Sequence, residues 1–499
     1  MPKSREITHQ TFVYTFGAQL TQLITLAAAI LSRRFLGPTQ VGIWATLQIV
    51  VEYAKYASMG SLYAVAKEIP YYTGKGRTDI AEEIKNVVFT IVLGSSFIIG
   101  CGLCLFAFLT RGRFPPEVTY GLFLVSAIIL LQRLSDLLIQ LLRCYKKFTL
   151  ASSQMIWSAI VNAVLVAGLT YFFQIYGFMW AMILSFLFNM IYIYAHNQLP
   201  FRIRFPRERV RAVVALGFPL MLVGVMTTVL RSIDKISVAK FLGFEAMGYY
   251  SIAVLVSSYI QTFYNSIAVV LFPHFQEKFS LQDDPRDLRA FLHKATYAYA
   301  LTTPILIGLA WIVAPFFIGM VLPQFVPGIA AMKILCFSMF FLALVQPYSD
   351  FLITIKKHLI LFPLLAATAA VALPLTLWVI HAGYGITGVA SVMTFAGFFN
   401  FSVTYFFASR YFIDSYAALR KYFKFLGCGA YLSLILLVFS RLFSVAGQSF
   451  LGVTAEVLLF LLLYSPLFLI LNRKFALTAF VKEKFTRSKA KPELVPPDI

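Results

Sequence analysis

Long apolar runs make up most of the chain, and short polar segments separate them. A helix needs about 20 apolar residues to cross a membrane, and fourteen runs meet that length. The runs are too long for strands and lack the alternation of a membrane β-barrel, so helices are predicted, because they satisfy their own backbone hydrogen bonds in lipid. The predicted spans are residues 11–33, 40–66, 86–110, 119–142, 150–173, 176–198, 212–238, 245–270, 291–320, 329–355, 359–380, 385–409, 425–442 and 451–472.

The composition fits a chain whose solvent is lipid. Hydrophobic residues make up 60% of the 499 positions and charged residues only 13%, whereas a soluble domain carries roughly 25% charged residues. We therefore expect an all-α polytopic membrane protein. The first run is longer than the apolar part of a signal peptide, and Arg33 and Arg34 follow it, so an uncleaved first helix is expected.

Basic residues are unevenly distributed between the polar segments. The formal net charge is +21, and an arginine-rich loop at 202–211 and a basic tail after 472 carry much of it. If both termini are cytoplasmic, most Lys and Arg residues lie inside, as the positive-inside rule requires. We therefore expect a multi-pass protein of the inner (plasma) membrane, in contact with membrane lipids, and no nucleic-acid partner.

One short motif occurs twice, half a chain apart. RRFLGPTQVGIW (33–44) and KFLGFEAMGYY (240–250) align at a fixed offset of 206 positions. The offset corresponds to six helices, which predicts a parallel repeat about an axis along the membrane normal. The predicted division is an N-terminal lobe at 1–206 with helices 1–6, a C-terminal lobe at 207–409 with helices 7–12, helices 13–14 at 410–472, and a cytoplasmic tail at 473–499.

The glycines of the motif have local explanations. Gly37 and Gly243 are expected at positive φ, where a helix ends after basic residues. Gly42 and Gly248 are expected where a helix approaches its neighbour too closely for a side chain. The simpler alternative is that each motif only forms a tight hairpin.

Three segments resemble polysaccharide-transport flippases of the multidrug/oligosaccharidyl-lipid/polysaccharide flippase superfamily. They are RFLGPTQVGIW (34–44), KEIPYYTGKG (67–76) and DKISVAKFLG (234–243), and the likeness extends over the whole chain in helix count and repeat. The resemblance implies a two-lobe transporter that alternates between inward-open and outward-open states around a cationic cavity.

The resemblance also implies a substrate. It is a polyprenyl-pyrophosphate-linked glycan, moved from the inner to the outer leaflet for a cell-surface polysaccharide such as O-antigen. Polysaccharide polymerase and other assembly proteins are then the candidate protein partners, and the chain is expected to act as a monomer without a cofactor.

Ionisable residues inside a span are costly and therefore mark candidate sites. Helix seven carries Arg231, Asp234 and Lys235, a group with net positive charge. Fixed cations suit a diphosphate, and arginine binds it through forked hydrogen bonds. The alternative is a structural network in which Asp234 neutralises its neighbours or serves in gating.

Two further spans carry an acid and a base three residues apart. These are Glu52 with Lys55 and Arg133 with Asp136. The bases are candidate head-group ligands and the acids candidate gating or ion-coupling groups. An equally weighted alternative is an ion pair within each helix.

The remaining candidates lie elsewhere in the repeat. Arg34 and Lys240 are symmetry-related candidates for head-group binding, with snorkelling to outer phosphates as the alternative. Asp350 is a candidate gating or ion-coupling carboxylate. Cys101 and Cys104 have a metal-like spacing, but they lie in an apolar run without a nearby histidine, so no metal site is expected.

Two other functions compete with the flippase. A cation-coupled multidrug exporter of the same superfamily would use a buried carboxylate, for which Glu52 and Asp350 are available. A membrane glycosyltransferase or polymerase would need an acidic metal-binding motif or a large catalytic loop, and the sequence has neither. We therefore expect no enzyme activity, and a phosphate-binding glycine loop for ATP is also lacking.

Overall fold

The computed structural model describes residues 4–282, 284–442 and 449–475. These residues form fourteen α-helices and no strand. The helices are α1 (Ser4–Ala54), α2 (Ser61–Gly74), α3 (Thr78–Leu109), α4 (Pro116–Cys144), α5 (Phe148–His196), α6 (Arg207–Leu230), α7 (Ile233–Phe241), α8 (Gly243–Gln282), α9 (Arg289–Val321), α10 (Ile329–Thr354), α11 (Leu361–His381), α12 (Gly385–Ser409), α13 (Ser415–Leu442) and α14 (Phe450–Phe475). Short 3-10 helices lie at Lys55–Ser58, Pro323–Gly328 and His358–Ile360.

Eleven helices of the described residues, α3 to α6 and α8 to α14, are long and apolar enough to cross a membrane. The prediction of an all-α polytopic membrane protein is confirmed. Two helices are longer than one span, since α1 has 51 residues and α5 has 49. Each of them contains two of the predicted runs, wholly or in part.

The long helices bend sharply at single residues. In α1 the backbone leaves helical geometry at Gly37, and in α5 it does so at Gln174 with φ 50° and ψ −131°. A Cβ on Gly177 would lie 1.9 Å from the carbonyl oxygen of Leu169, although eight residues of straight helix cover about 12 Å. The chain therefore reverses at Gln174, and α5 is a helical hairpin.

Two predicted runs are interrupted, so their prediction as continuous helices is wrong. The run 40–66 breaks at Met59 and Gly60, both with positive φ. A side chain on Gly60 has no room there, because its Cβ would lie 2.3 Å from the carbonyl oxygen of Gly217. The run 212–238 breaks between α6 and α7.

The break between α6 and α7 is stabilised by a hydroxyl group. Ser232 Oγ donates to the backbone oxygens of Thr228 at 2.7 Å and Val229 at 3.2 Å. Carbonyls at a helix end lack intrahelical donors. The single hydroxyl proton of Ser232 is available to these two, and the backbone N–H of Ser232 also donates to the carbonyl of Val229 at 3.1 Å. The result places Arg231 at the end of one helix and Lys235 in the next.

The chain divides into two compact units. Unit 1 comprises Met1–Ala239 with Gly243–Gly248, and unit 2 comprises Lys240–Leu242 with Tyr249–Ile499. Unit 1 therefore contains α1 to α6 and nearly all of α7. The predicted lobe boundaries at 206, 409 and 472 stay a prediction.

A buried apolar cluster holds α2, α3 and α4 of unit 1 together. Its members include Val65 and Ile69 of α2, Val88 of α3 and Leu141 of α4, all with no exposed surface. Val213 of α6 packs against the same cluster. This core joins α2 and α3 to α4 and α6, the helices that carry Arg133 and Arg231.

The repeated motif adopts the backbone expected of its glycines. Gly37 has φ 69° and Gly243 has φ 87°, the region where a side chain is strained. The predicted positive φ is therefore confirmed at both positions.

The two copies of the motif also contact each other inside unit 1. A Cβ on Gly42 would lie 1.7 Å from the carbonyl oxygen of Phe244, and a Cβ on Gly248 would lie 1.9 Å from that of Pro38. Each glycine therefore lies against the main chain of the other copy. The close helix approach predicted for both glycines is confirmed.

Candidate substrate site

Four candidate cations come together in unit 1. Lys55 begins the 3-10 turn after α1, Arg133 lies within α4, Arg231 ends α6, and Lys235 lies in α7. The other three all act electrostatically on Lys55. The fold thus concentrates positive charges that are far apart in the sequence.

Two carboxylates pair with members of this group. Glu52 Oε2 lies 3.3 Å from Lys235 Nζ, and Asp136 Oδ2 lies 2.7 Å from Arg133 Nη2. We define the cation cluster by its members, which are Lys55, Arg133, Arg231, Lys235, Glu52 and Asp136. Four positive and two negative groups leave it with a formal charge of +2, or +1 if neighbouring Asp234 is included.

The two predicted intrahelical pairs have different outcomes. The pair of Arg133 and Asp136 is confirmed, with Arg133 buried at 7% exposure. An intrahelical pair of Glu52 with Lys55 is wrong, because Glu52 instead forms its ion pair with Lys235 on α7. The chain changes from α-helix to 3-10 helix at Lys55, and Lys55 Nζ lies 4.8 Å from the centre of the Tyr56 ring.

The three charged residues of the predicted span 212–238 occupy different environments. Arg231 is exposed at the end of α6, whereas Asp234 is buried at 5% exposure within α7. The side chain of Lys235 is 13% exposed. Arg231 is therefore the member of this trio most accessible to a ligand.

Tyrosine hydroxyls fix the segment around Lys55 to α6 and the following turn. Tyr53 Oη lies 2.6 Å from Ser232 Oγ. Tyr56 Oη donates to the carbonyl oxygen of Gly224 at 2.6 Å and lies 2.7 Å from Thr228 Oγ1. These contacts join positions about 170 residues apart, so no local sequence pattern could have revealed them.

Arg34 lies in α1 and Lys240 in α7, each within its copy of the repeated motif. Both are exposed, and Lys240 Nζ lies 5.3 Å from the centre of the Phe241 ring. Neighbouring Arg33 donates from Nη1 to the backbone oxygen of Ala29 at 3.1 Å. A head-group role for Arg34 and Lys240 stays a prediction.

Asp350 lies in unit 2, buried at 5% exposure in α10. Its Oδ1 accepts a hydrogen bond from Gln346 Nε2 at 3.0 Å, and the Tyr299 side chain is close enough to sense its charge. A buried carboxyl held by an amide group can bind and release a proton or cation.

Sequence reasoning missed a second charged group in unit 2. Lys333 Nζ lies 3.7 Å from the centre of the Trp311 ring, and it interacts electrostatically with Glu456 of α14, which is 6% exposed. The sequence held a signal for this pair: Glu456 lies within the predicted span 451–472, and an acid within a span is rarely without a partner.

Within the described ranges, no group of three or more His, Cys, Asp or Glu side chains is arranged to hold a metal ion. The charged groups described above in unit 1 are fixed cations with partial carboxylate compensation. Such a group can bind an anion by charge-assisted hydrogen bonds.

Residues 30–325, more than half of the chain, match the sequence profile of the family described as "Polysaccharide biosynthesis protein". A comparison with curated protein sequences finds no significant match. The matched range includes every member of the cation cluster.

Solved structures share the fold. Lipid II flippase MurJ in an inward closed conformation aligns at 15% identity and TM-score 0.67, over 93% of this chain and 100% of that chain. An inward-facing multidrug resistance MATE family transporter of the MOP superfamily aligns at 14% and 0.67, over 78% and 94%. A variant of the Vibrio cholerae MATE transporter VcmN aligns at 14% and 0.59, over 82% and 96%.

Proposed function

We propose that this chain is a lipid-linked oligosaccharide flippase. The chain belongs to the polysaccharide biosynthesis protein family and has the fold of the MOP superfamily. It moves a polyprenyl-(pyro)phosphate-linked oligosaccharide from the inner to the outer leaflet by alternating access, for assembly of a cell-surface polysaccharide. The match to a lipid II flippase over nearly the whole chain supports this proposal at the level of the fold.

The observation that carries the proposal is the net charge of the cation cluster. Ion pairs neutralise part of the cluster, and a formal charge of +2 remains among its six groups. Fixed cations in excess of the neighbouring carboxylates attract an anion, and a diphosphate can bind them through charge-assisted hydrogen bonds. Arg231 is exposed at the end of α6 and offers a planar donor fork that matches phosphate oxygens.

The proposal includes a setting in the cell. The chain lies in the inner (plasma) membrane with both termini cytoplasmic, acts as a monomer, and delivers its product to polysaccharide polymerase and assembly proteins. The membrane potential can drive transfer of a net-negative substrate, at roughly 2.3 kcal/mol per charge per 100 mV. The distribution of basic residues along the sequence supports this orientation.

The direct test is reconstitution of the full chain in vesicles that contain candidate polyprenyl-pyrophosphate glycans. Transfer between leaflets is measured with and without an imposed potential. We expect transfer by the unmodified chain and a large loss in Arg231→Gln. The matched control is Arg113→Gln, which removes an exposed arginine outside the cluster. Equal transfer by both variants would exclude Arg231 from the site.

A cation-coupled multidrug exporter is the second candidate. Buried Asp350, held by Gln346, favours it, because a protonatable carboxyl can couple transport to an ion gradient. The same vesicles loaded with a cationic dye distinguish the two functions. Dye export that depends on Asp350, without transfer of any lipid-linked glycan, would replace the flippase proposal.

A further inference from the structure

The first three turns of α13 have an exposed stripe of alternating apolar and basic side chains. Tyr416, Leu419 and Phe423 are 81%, 44% and 60% exposed, and Arg420 and Lys424 are exposed beside them. Spacings of three, four and seven residues place all five on one face of the helix. The opposite face of α13 is buried within unit 2 and includes Ala418, Tyr422 and Phe425.

Behind this stripe, Lys421 contacts α9. Lys421 Nζ donates to Nε2 of His293, whose ring is 8% exposed and packs edge-on to Phe412 at 5.7 Å. A lysine ammonium only donates, so the imidazole is neutral and carries its proton on Nδ1. That Nδ1 has no hydrogen-bond partner, so the site contains a donor in excess of its acceptors.

The charges that act on Lys421 are all positive. They come from Arg289, Arg420 and Lys424. Two acids, Asp287 and Asp414, are near in sequence and both are exposed. Across residues 287–294 and 410–424 there are six basic and two acidic side chains, a formal charge of +4.

We propose that the start of α13, with Arg289 of α9, binds the phosphate head group of an anionic phospholipid. The exposed Arg289, Arg420 and Lys424 face the phosphate. Lys421 adds its charge from behind them, where buried His293 positions it, and the acyl chains lie along the stripe of Leu419 and Phe423. Long basic side chains beside apolar surface at a helix end are suited to this contact.

A resident phospholipid fits the stripe better than the lipid-linked glycan of the proposed function. The apolar side chains lie on the exposed face of α13, where membrane lipid has access, and a clustered positive charge needs only a phosphate. The site belongs to unit 2 alone, whereas the cation cluster belongs to unit 1. It therefore stands whether or not the chain is a flippase.

The test is native mass spectrometry of the detergent-solubilised full chain, titrated with dioleoyl-phosphatidylglycerol or dioleoyl-phosphatidylcholine. We expect the anionic lipid to bind more tightly. Each cation near a lipid surface contributes a factor of about five. Lys421→Gln should therefore weaken phosphatidylglycerol binding about five-fold, and Arg420→Gln with Lys424→Gln about 25-fold. The matched control is Arg113→Gln, which removes an exposed charge from unit 1, outside the two basic segments of the proposed site.

Three results would overturn the proposal. The first is equal affinity for the two phospholipids, and the second is equal loss in the control and the double variant. The third is displacement of phosphatidylglycerol by an equimolar polyprenyl diphosphate, which would make this a substrate site. The double variant changes only exposed side chains, so its binding can be measured on folded protein, which an unchanged melting temperature would verify.

Discussion

The ion pair of Glu52 and Lys235 allows a test in which two single substitutions have opposite effects. The cluster has a formal charge of +2, which Lys235→Gln lowers to +1 and Glu52→Gln raises to +3. We expect Lys235→Gln to weaken binding of a polyprenyl diphosphate, because a cation is lost and Glu52 is left unpaired. Glu52→Gln should tighten binding and slow turnover through slower release, and the double variant should return to nearly the original affinity.

The size of the effect follows from the geometry. Lys235 Nζ and Glu52 Oε2 are 3.3 Å apart, which corresponds to an attraction of about 5 kcal/mol at an effective dielectric constant of about 20. The two side chains are 13% and 35% exposed, so water reduces the net coupling. Contacting pairs show coupling of about 0.5–3 kcal/mol, roughly two-fold to 150-fold in a binding constant.

The assay is a double-mutant cycle on the purified chain, with binding of polyprenyl diphosphate and the rate of leaflet transfer measured for each variant. Melting temperatures identify any variant that fails to fold. Weaker binding in both single variants, with additive losses in the double variant, would refute the reasoning. The pair would then be structural only.

Three further predictions concern stability and energy coupling. Gly248→Ala should destabilise the protein by about 1–3 kcal/mol, because its Cβ would lie 1.9 Å from a backbone oxygen. Gly102→Ala has open space in α3 and should not destabilise it, so equal melting temperatures of the two variants in detergent would contradict the packing. Arg133→Gln should destabilise the protein by about 1–3 kcal/mol, because Asp136, whose side chain is 38% exposed, loses its ion-pair partner. Addition of Asp136→Asn should restore most of that loss in the same melts, and no recovery would show that the arginine matters for packing. Asp350→Asn should leave potential-driven transfer of the lipid-linked glycan intact and abolish any transfer that a pH or sodium gradient drives. A response to either gradient that survives in this variant would show that Asp350 does not couple transport to an ion.

Hydropathy predicted most of the fold because lipid allows few alternatives. An apolar run of sufficient length must be helical, so the spans from α8 to α14 could be recognised from the sequence alone. The glycines of the repeated motif were also informative, since positive φ at Gly37 and Gly243 is a local property of the backbone. The burial of Lys85 was harder to predict: it precedes the predicted span 86–110, whereas in α3 it is buried at 1% exposure and paired with Glu82.

The cation cluster could be predicted only in part. The periodicity of a helix relates residues three or four apart, and this revealed Arg133 with Asp136. Lys235 and Glu52 are 183 positions apart, and only the tertiary fold brings the end of α1 to the turn between α6 and α7. The break at Arg231 was equally hidden, because Ser232 ends the helix through hydrogen bonds that do not depend on hydropathy.

The mutual contact of the repeated motifs limits how the two halves can change over time. A side chain gained at Gly42 would collide with the main chain at Phe244, and one gained at Gly248 would collide with that at Pro38. Neither copy can therefore acquire a new residue at its glycine without damage to the other. If the halves arose by gene duplication, this reciprocal constraint would preserve the likeness at the motif while the surrounding helices diverged.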